Sequence, residues 1–270
     1  IVRENTPLAI IQNSADYKAR NFDLLQNFAL EVVQYRGLAM WQRLLLVGLV
    51  CERLELLDQT LPPSEVDRQV EHLVLKGKLA MLDGSFNQQT QGMTPNLNTI
   101  KAQQVFIKRM NDERLLMSTV ATGEVRLNTA FATCMAEAFI GLEYETNDLE
   151  ATAQKLQEAS AGFSEFEAAH PYILENFFSN NLALDVFPIA KSKVLTEQWH
   201  DLMIRYAMVR FYLIGMSAKH GENFSVDHCV KLIYSYSKTV QHNKVFLPRI
   251  HAFLSQENLN SLATMAILVR

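Results

Sequence analysis

Gln241, His242 and Asn243 are three consecutive polar residues that close an otherwise apolar and aromatic stretch of the chain. An imidazole with the ordinary pKa of about 6.5 is mostly neutral at pH 7 and can take a proton from a substrate. The same residues are also suited to ending a helix, where a protonated histidine favours the helix dipole and asparagine serves as a cap. The spacing alone therefore leaves His242 as either a base or a structural residue.

A second polar group is formed by Tyr172, Glu175 and Asn176, which stand at positions i, i+3 and i+4. This spacing places a hydroxyl, a carboxylate and an amide on one face of a helix. The three side chains could face a pocket, or they could bond to a neighbouring helix and make the core rigid. The residues alone favour the structural interpretation.

The spacing of glycine and cysteine excludes several kinds of site. Gly215 and Gly221 are the nearest pair of glycines, so neither the dinucleotide-binding G-x-G-x-x-G nor a P-loop can occur. The cysteines Cys51, Cys134 and Cys229 stand far apart without a C-x-x-C pair, which argues against a disulfide framework, a local metal site or an iron–sulfur cluster. We expect them to be small core residues in a reducing, cytoplasmic compartment.

Two further histidines, His220 and His228, are eight residues apart across Gly221 and could meet in space. A metal or catalytic role would require a carboxylate that orients their rings, and the sequence pattern identifies none. Ordinary surface and capping roles are therefore favoured for both.

The composition limits the classes of function. The chain has 270 residues, of which 49% are hydrophobic and 20% charged, and its net charge is −4. This balance excludes intrinsic disorder, and basic residues form no block that would bind nucleic acid. No run of about 18 apolar residues occurs, so we expect a soluble protein without a membrane span. The chain starts at Ile1 without a signal peptide, so we expect a fragment or processed product that lacks its true N-terminus.

The apolar pattern predicts helices. Ten glycines and seven prolines are few for a chain of this length, and apolar residues recur every three or four positions. The expected fold is all-α, an irregular bundle of about ten helices without a significant sheet. Helices should end at His170, before Pro171, and at Gly221, and one should begin at Ser225.

The segment 84–95 is polar and aperiodic, with two glycines and a proline. It is expected to be a long loop and the boundary between two helical subdomains. The N-terminal subdomain would comprise residues 1–83, and the C-terminal subdomain residues 96–270.

Residues 232–243 (LIYSYSKTVQHN) resemble the tail of the flagellin lysine-N-methylases, bacterial enzymes that methylate lysine side chains of flagellin. The shared features are a Tyr-Ser-aromatic element and the Gln-His-Asn that follows it. Residues 199–217 are similar to the helix that precedes this element in the family. Residues 172–178, with the later Phe187-Pro188, resemble its Glu-Asn-aromatic segment. The resemblance is good over about the last hundred residues and faint over the first 150.

The resemblance implies the helical C-terminal part of an enzyme with S-adenosylmethionine as methyl donor and flagellin as partner. The family also has a cysteine-rich N-terminal region thought to hold an iron–sulfur cluster, and this chain begins after the place where that region would end. We therefore expect the cluster only in that region and an inactive chain on its own. The alternative is a non-catalytic helical interaction module that binds flagellin or a partner subunit. Assembly into a homo-oligomer is left open.

The resemblance also transfers motif positions to this chain. His242 is expected to act as the base, and the residues expected to contact substrate are Tyr172, Glu175, Asn176, Tyr234, Ser235, Gln241 and Asn243. A mostly apolar bundle places buried polar groups where they satisfy one another or meet a ligand. We therefore expect the Gln-His-Asn group to lie beside the Tyr172 group in a polar cleft, or, in the structural alternative, to clamp helices together.

Overall fold

The computed structural model of the chain describes residues 14–93, 97–111, 129–144, 148–189, 194–241, 246–256 and 260–269. Among these residues every regular element is a helix and no strand is present, which confirms the predicted all-α class. The α-helices are α1 (Tyr17–Arg20), α2 (Phe22–Gln34), α3 (Met40–Glu55), α4 (Pro63–Leu82), α5 (Ser85–Gln91), α6 (Leu97–Asn111), α7 (Thr129–Gly141), α8 (Leu149–Ala169), α9 (Tyr172–Leu184), α10 (Leu195–His220), α11 (Val226–Tyr236), α12 (Phe246–Gln256) and α13 (Leu262–Val269). A 3₁₀ turn at Gly221–Asn223 precedes α11, and a π-helical turn at Ser237–Gln241 follows it.

The chain forms two compact units, with boundaries after residues 93, 173 and 202. The first unit contains α1 to α5, most of α9 and the start of α10. The second contains α6 to α8, the remainder of α10, and α11 to α13. Residues 174–202 thus belong with the N-terminal helices, whereas the predicted division assigns them to the C-terminal subdomain. Glu175 of α9 forms ion pairs with Arg36 and Arg43 of the first unit, a long-range link that local sequence patterns do not reveal.

The core of the first unit is built from three helices whose apolar residues follow the helical period. α2 buries Leu25, Phe28, Val32 and their neighbours, and α3 is apolar on most sides. α4 starts at Pro63, where the missing N–H would have no partner within the helix in any case. Its buried residues form one narrow stripe: Val66, Val70, Val74, Gly77 and Met81. α2, α3 and α4 pack against one another, and α5 packs on α3 and α4.

Trp199 packs closely on the backbone of α3. Its Nε1–H donates to the carbonyl oxygen of Leu44 at 2.8 Å. A Cβ atom on Gly48 would lie 2.2 Å from the indole ring, so only glycine leaves room for this contact. The residue type at position 48 therefore determines how the start of α10 packs within the first unit.

The second unit contains a similarly close approach, between α7 and α10. A Cβ atom on Gly141 would lie 2.0 Å from the carbonyl oxygen of Gly215, and one on Gly215 would lie 2.5 Å from the carbonyl oxygen of Ala138. The two helix backbones are therefore in direct contact. Farther along α7, the ring of Phe131 makes edge contacts with Tyr212 and with Tyr236.

The segment 84–95, expected to be a loop, contains the helix α5 at Ser85–Gln91. Gly84 has a φ of 77°, a left-handed conformation that suits glycine and lets the chain turn after α4. The helix is held by hydrogen bonds as well as by apolar burial, because Gln42 Nε2 donates to Thr90 Oγ1 at 2.6 Å and to Asn87 Oδ1 at 3.0 Å. The helix has too few apolar residues for its sequence to show a helical period.

The expected helix boundaries at His170, Gly221 and Ser225 are confirmed. α8 ends at Ala169, α10 ends at His220 before Gly221 with a φ of 53°, and Ser225 is the N-cap residue of α11. The described residues contain thirteen α-helices instead of about ten, partly because Asn21 separates α1 from α2. No helix in the described part of the chain is both long and apolar enough to cross a membrane.

Candidate functional site

Glu175 of α9 lies in a buried ion-pair cluster of the first unit. Its Oε1 accepts from Arg43 Nη1 at 3.0 Å and from Arg36 Nε at 3.1 Å, and its Oε2 accepts from Arg36 Nη2 at 3.0 Å. Burial by itself would raise the pKa of this carboxyl, but the hydrogen bonds and charges of the two arginines outweigh burial and lower it. Arg43 also donates to the carbonyl oxygens of Leu38 and Val33. Glu175 is thus ionised and fixes α9 to the turn between α2 and α3.

Tyr172 and Asn176, the other two members of the Tyr172 group, are exposed. The helix therefore separates the three polar residues into one buried carboxylate and two exposed side chains. Only Glu175 takes part in the ion pairs with Arg36 and Arg43.

The two motif residues on α11, Tyr234 and Ser235, have different surroundings. Tyr234 is exposed, and the Nζ of Lys238 lies 4.3 Å from the centroid of its ring. Ser235 is fully buried, and its hydroxyl donates to the carbonyl oxygen of Leu232 at 3.0 Å. Tyr234 can therefore meet a partner from solvent, whereas Ser235 is satisfied within its own helix.

The helix widens into a π-helical turn at Ser237–Gln241, immediately before His242. Thr239 Oγ1 donates to the carbonyl oxygen of Ser235 at 2.9 Å in this turn. Single π-turns inside helical segments occur frequently at functional sites. His242 and Asn243 lie outside the described residues, so their place beside the Tyr172 group stays a prediction.

A small pocket lies at the end of α9 and the start of α10, within the first unit. Its polar lining consists of Asn181, Asp185, Gln198 and Asp201, and Phe187 contributes an aromatic wall. Gln198 Nε2 donates to the carbonyl oxygen of Pro188 at 2.7 Å. The pocket has room for about one water molecule.

The second unit holds a cluster of ionisable groups where α7, α10 and α11 meet. We call Glu137, His220, His228 and Lys231 the imidazole cluster. His220 Nε2 lies 3.2 Å from Glu137 Oε2, and the rings of His220 and His228 are 4.2 Å apart at their centroids. Lys231 Nζ lies 3.5 Å from Glu137 Oε1, the other oxygen of the same carboxylate. The carboxylate of Glu137 therefore contacts an imidazole and an ammonium group at the same time.

The capping geometry of α11 holds His228 in place. Its Nδ1 accepts from the backbone N–H of the N-cap residue Ser225 at 3.2 Å and lies 2.9 Å from the Ser225 hydroxyl. Burial, followed by the nearby charge of His220, lowers the pKa of His228. His228 is therefore a neutral imidazole at pH 7, with its proton on Nε2.

Burial would raise the pKa of Glu137, but the hydrogen bond from His220 and the positive charge of Lys231 outweigh burial and lower it. The carboxylate is therefore ionised at neutral pH. A carboxylate beside an imidazole fixes the ring orientation and stabilises the imidazolium that forms on protonation.

A row of aromatic rings in stacked and edge contacts connects the imidazole cluster to Tyr172. His228 stacks on Phe224 at 5.6 Å, Phe224 meets Phe166 at 4.8 Å, and Phe166 stacks on His170 at 4.3 Å. The rings of His170 and Tyr172 are 6.1 Å apart. An exposed motif tyrosine therefore lies at one end of this row and the imidazole cluster at the other.

The sequence pattern indicates that His220 and His228 could meet, but it does not identify Glu137. Glu137 is a single carboxylate in the mostly apolar helix α7, and this feature of the sequence could have indicated it. Its partner is 83 residues away, so no local spacing rule connects the two.

The described residues do not fit an iron–sulfur cluster. Iron–sulfur ligation requires thiolates, and burial raises the pKa of Cys51, of Cys134, and of Cys229, the last to about 12. In the part of the chain that the structure describes, no group of three or more histidine, cysteine or acidic residues could hold a metal ion.

The pocket at α9 and α10 does not fit S-adenosylmethionine, because ligands of that size occupy pockets of roughly 300 Å³ or more.

A family model described as the FliB lysine N-methylase C-terminal domain matches residues 26–268. The match extends the sequence resemblance from the last hundred residues to nearly the whole chain. No curated protein and no solved structure matches the chain. Since the family model spans well over half of the residues, the chain belongs to the family of FliB lysine N-methylase C-terminal domains.

Proposed function

We propose that the chain is the C-terminal part of an enzyme that methylates lysine side chains of flagellin. The family match over residues 26–268 carries this proposal, because it identifies a domain of lysine N-methylases. The Tyr-Ser-aromatic and Gln-His-Asn elements lie inside the matched range. Flagellin as the substrate is inferred from the resemblance of these elements to the flagellin enzymes.

We assign to this chain the steps that concern the lysine: holding the protein substrate and removing a proton from its ammonium group. S-adenosylmethionine is the proposed methyl donor, and the proposed iron–sulfur cluster lies in the cysteine-rich region that the resemblance implies. The supporting observation is that the α9–α10 pocket is too small for the donor and that the described cysteines are buried, protonated thiols.

The proposed substrate contacts are the exposed motif residues. Tyr172, Asn176 and Tyr234 are exposed and can meet a protein surface. The Gln-His-Asn group, which starts at the last residue of the π-helical turn in the sequence, is also a proposed substrate contact. Glu175 and Ser235, which have partners inside the fold, are proposed to support these residues without touching substrate.

The test is to incubate the full-length protein with flagellin and S-adenosylmethionine that carries a labelled methyl group. Label should appear on lysine after hydrolysis of the flagellin. Flagellin whose lysines have been acetylated chemically is the matched control and should stay unlabelled. Absence of label on the lysines of unmodified flagellin would refute the proposal that the protein is an enzyme.

One observation favours the second candidate, a non-catalytic module that binds flagellin or a partner subunit. Leu75, Leu79 and Leu82 are exposed at positions i, i+4 and i+7 of α4, which forms an apolar stripe on the solvent side of the first unit. An exposed apolar face of this kind is typical of helix-mediated binding. If this candidate is correct, Leu79→Gln should weaken capture of flagellin while the full-length protein transfers no methyl group at all.

A further inference from the structure

The imidazole cluster combines three features that a proton-accepting site needs. It is partly open to solvent, since the side chains of His220 and Glu137 are 23% and 13% exposed. Its members come from three different helices, so packing fixes their positions. It contains a carboxylate hydrogen-bonded to an imidazole, the arrangement that orients a histidine base.

The hydrogen bond with Glu137 assigns the tautomer of His220. An ionised carboxylate only accepts, so His220 Nε2 carries the proton and donates it to Glu137 Oε2. In the neutral ring the other nitrogen, Nδ1, then has a free lone pair. Within the described residues, Nδ1 has no hydrogen-bond partner. A proton from a substrate could therefore be accepted at Nδ1.

The surroundings of His220 allow a positive charge to form there. His228 stacks on His220 and is held neutral at pH 7, so an imidazolium on His220 would face a neutral ring. Lys231 pairs with Oε1 of Glu137, so Oε2 remains the hydrogen-bond acceptor for His220. The other charged groups that act on the cluster are Lys219 on α10 and Asp227 on α11.

We propose that the Glu137–His220 pair removes the proton from the substrate lysine, an inference that rests on the proposed function. In this step an N–H bond of the lysine ammonium breaks and its proton bonds to His220 Nδ1. The electron pair stays on the lysine nitrogen, which becomes a neutral nucleophile for the methyl group. The Glu137 carboxylate stabilises the imidazolium, which later loses its proton to water.

The ammonium of Lys231 lies 3.5 Å from Glu137 Oε1, on the carboxylate side of His220. Nδ1 is the ring nitrogen that does not bond to Glu137, so it is the one that a substrate ammonium would meet. The assignment competes with His242, which the sequence motif suggests for the same role, and the experiment must separate the two histidines.

The first test measures methyl transfer to flagellin by the full-length protein as a function of pH. His220→Gln should lower kcat about 10²- to 10⁴-fold, the usual size of a general-base contribution. The same variant should leave KM within about threefold and remove the decline in rate at acidic pH that depends on the base. His72→Gln, which changes an exposed histidine on α4, is the matched control and should behave as wild type.

Two outcomes of this test would overturn the inference while the proposed function stands. One is a His220→Gln variant that keeps the wild-type kcat and acidic decline, or that loses kcat only in proportion to its folded fraction. The other is a His242→Ala variant that loses the acidic decline while His220→Gln retains it. That result would assign the base to the motif.

A second measurement does not depend on activity, so it remains informative if wild type transfers no methyl group. The ¹⁵N resonances of His220 are followed while a lysine-containing peptide is added to the protein. We expect the Nδ1 resonance to shift, and Glu137→Gln to weaken peptide binding at least tenfold. The same peptide with norleucine in place of lysine should have no effect. A lysine peptide that leaves the His220 resonances unchanged would refute the site.

Discussion

Glu175 shares its buried charge between two arginines of very different exposure. The side chain of Arg43 is 6% exposed and that of Arg36 is 63% exposed. Removing one partner of a buried pair leaves an uncompensated charge, which costs several kcal/mol, whereas an exposed pair contributes little because water screens it. The two arginines should therefore contribute unequally to the stability of the first unit.

We predict that Arg43→Met lowers the free energy of unfolding by about 3 kcal/mol, because Glu175 and two backbone carbonyls lose a donor. Arg36→Met is the matched control and should change stability little. Urea unfolding followed by circular dichroism measures both variants. Equal losses for the two variants would show that the buried arginine contributes no more to stability than the exposed one.

His228 should make the protein less stable in mild acid. Its pKa is lowered in the folded state, first by burial and then by the charge of His220. The unfolded chain, with an ordinary histidine pKa of about 6.5, therefore binds more protons as the pH falls below that value. The contribution of His228 to the free energy of unfolding is fully present above about pH 6.5. It decreases as the pH falls toward the lower pKa that His228 has in the folded state.

The corresponding prediction is that the melting temperature falls between pH 7 and pH 5.5, and that His228→Gln reduces this decrease. Thermal melts at several pH values, followed at one wavelength, measure both slopes. A variant with the same decrease as wild type would show that His228 is not the group responsible.

At the scale of helices, the contact of α7 with α10 depends on two glycines. A Cβ atom at position 141 would meet the backbone of α10, which cannot move as a flexible side chain can. Adding a methyl group to a filled contact typically costs 1–3 kcal/mol. The same crossing carries Glu137 on α7 and His220 on α10, so its geometry also determines the spacing of the imidazole cluster.

Gly141→Ala should therefore destabilise the protein by about 3 kcal/mol or more. Gly162→Ala is the matched control, because Gly162 lies within α8 with nothing inside 4 Å of the added atom. That change should be neutral or stabilise the protein by about 0.5–1 kcal/mol, since alanine favours the helix. A Gly141→Ala variant as stable as the control would mean that the two backbones can separate at low cost.

In the molecule as a whole, the imidazole cluster is the proposed site for the lysine. The α9–α10 pocket is too small for the proposed donor, and the described cysteines do not fit an iron–sulfur cluster. We predict that residues 1–270 alone fold into a helical protein without methyl transfer activity. The same assay on the full-length protein, with flagellin as substrate, should give labelled lysine. Detectable transfer by residues 1–270 alone would show that the cysteine-rich region implied by the family resemblance is dispensable.

Features that depend on local interactions could be predicted from the amino-acid sequence. The helical period and the scarcity of glycine and proline predicted the all-α class, and the boundaries at His170, Gly221 and Ser225 followed from proline sterics, glycine conformation and capping. Each of these rules acts within a few residues. They therefore hold whatever the rest of the chain does.

Contacts between residues that are distant in the sequence could not be predicted and are known only from the folded structure. Glu175 and Arg43 are 132 residues apart, and Glu137 and His220 are 83 residues apart, so no spacing rule relates them. The helix α5 likewise depends on Gln42, which lies 48 residues before Thr90. Such contacts arise from the packing of whole helices, which balances burial, hydrogen bonding and close backbone approach over the entire unit. Local propensity contains no information about that balance.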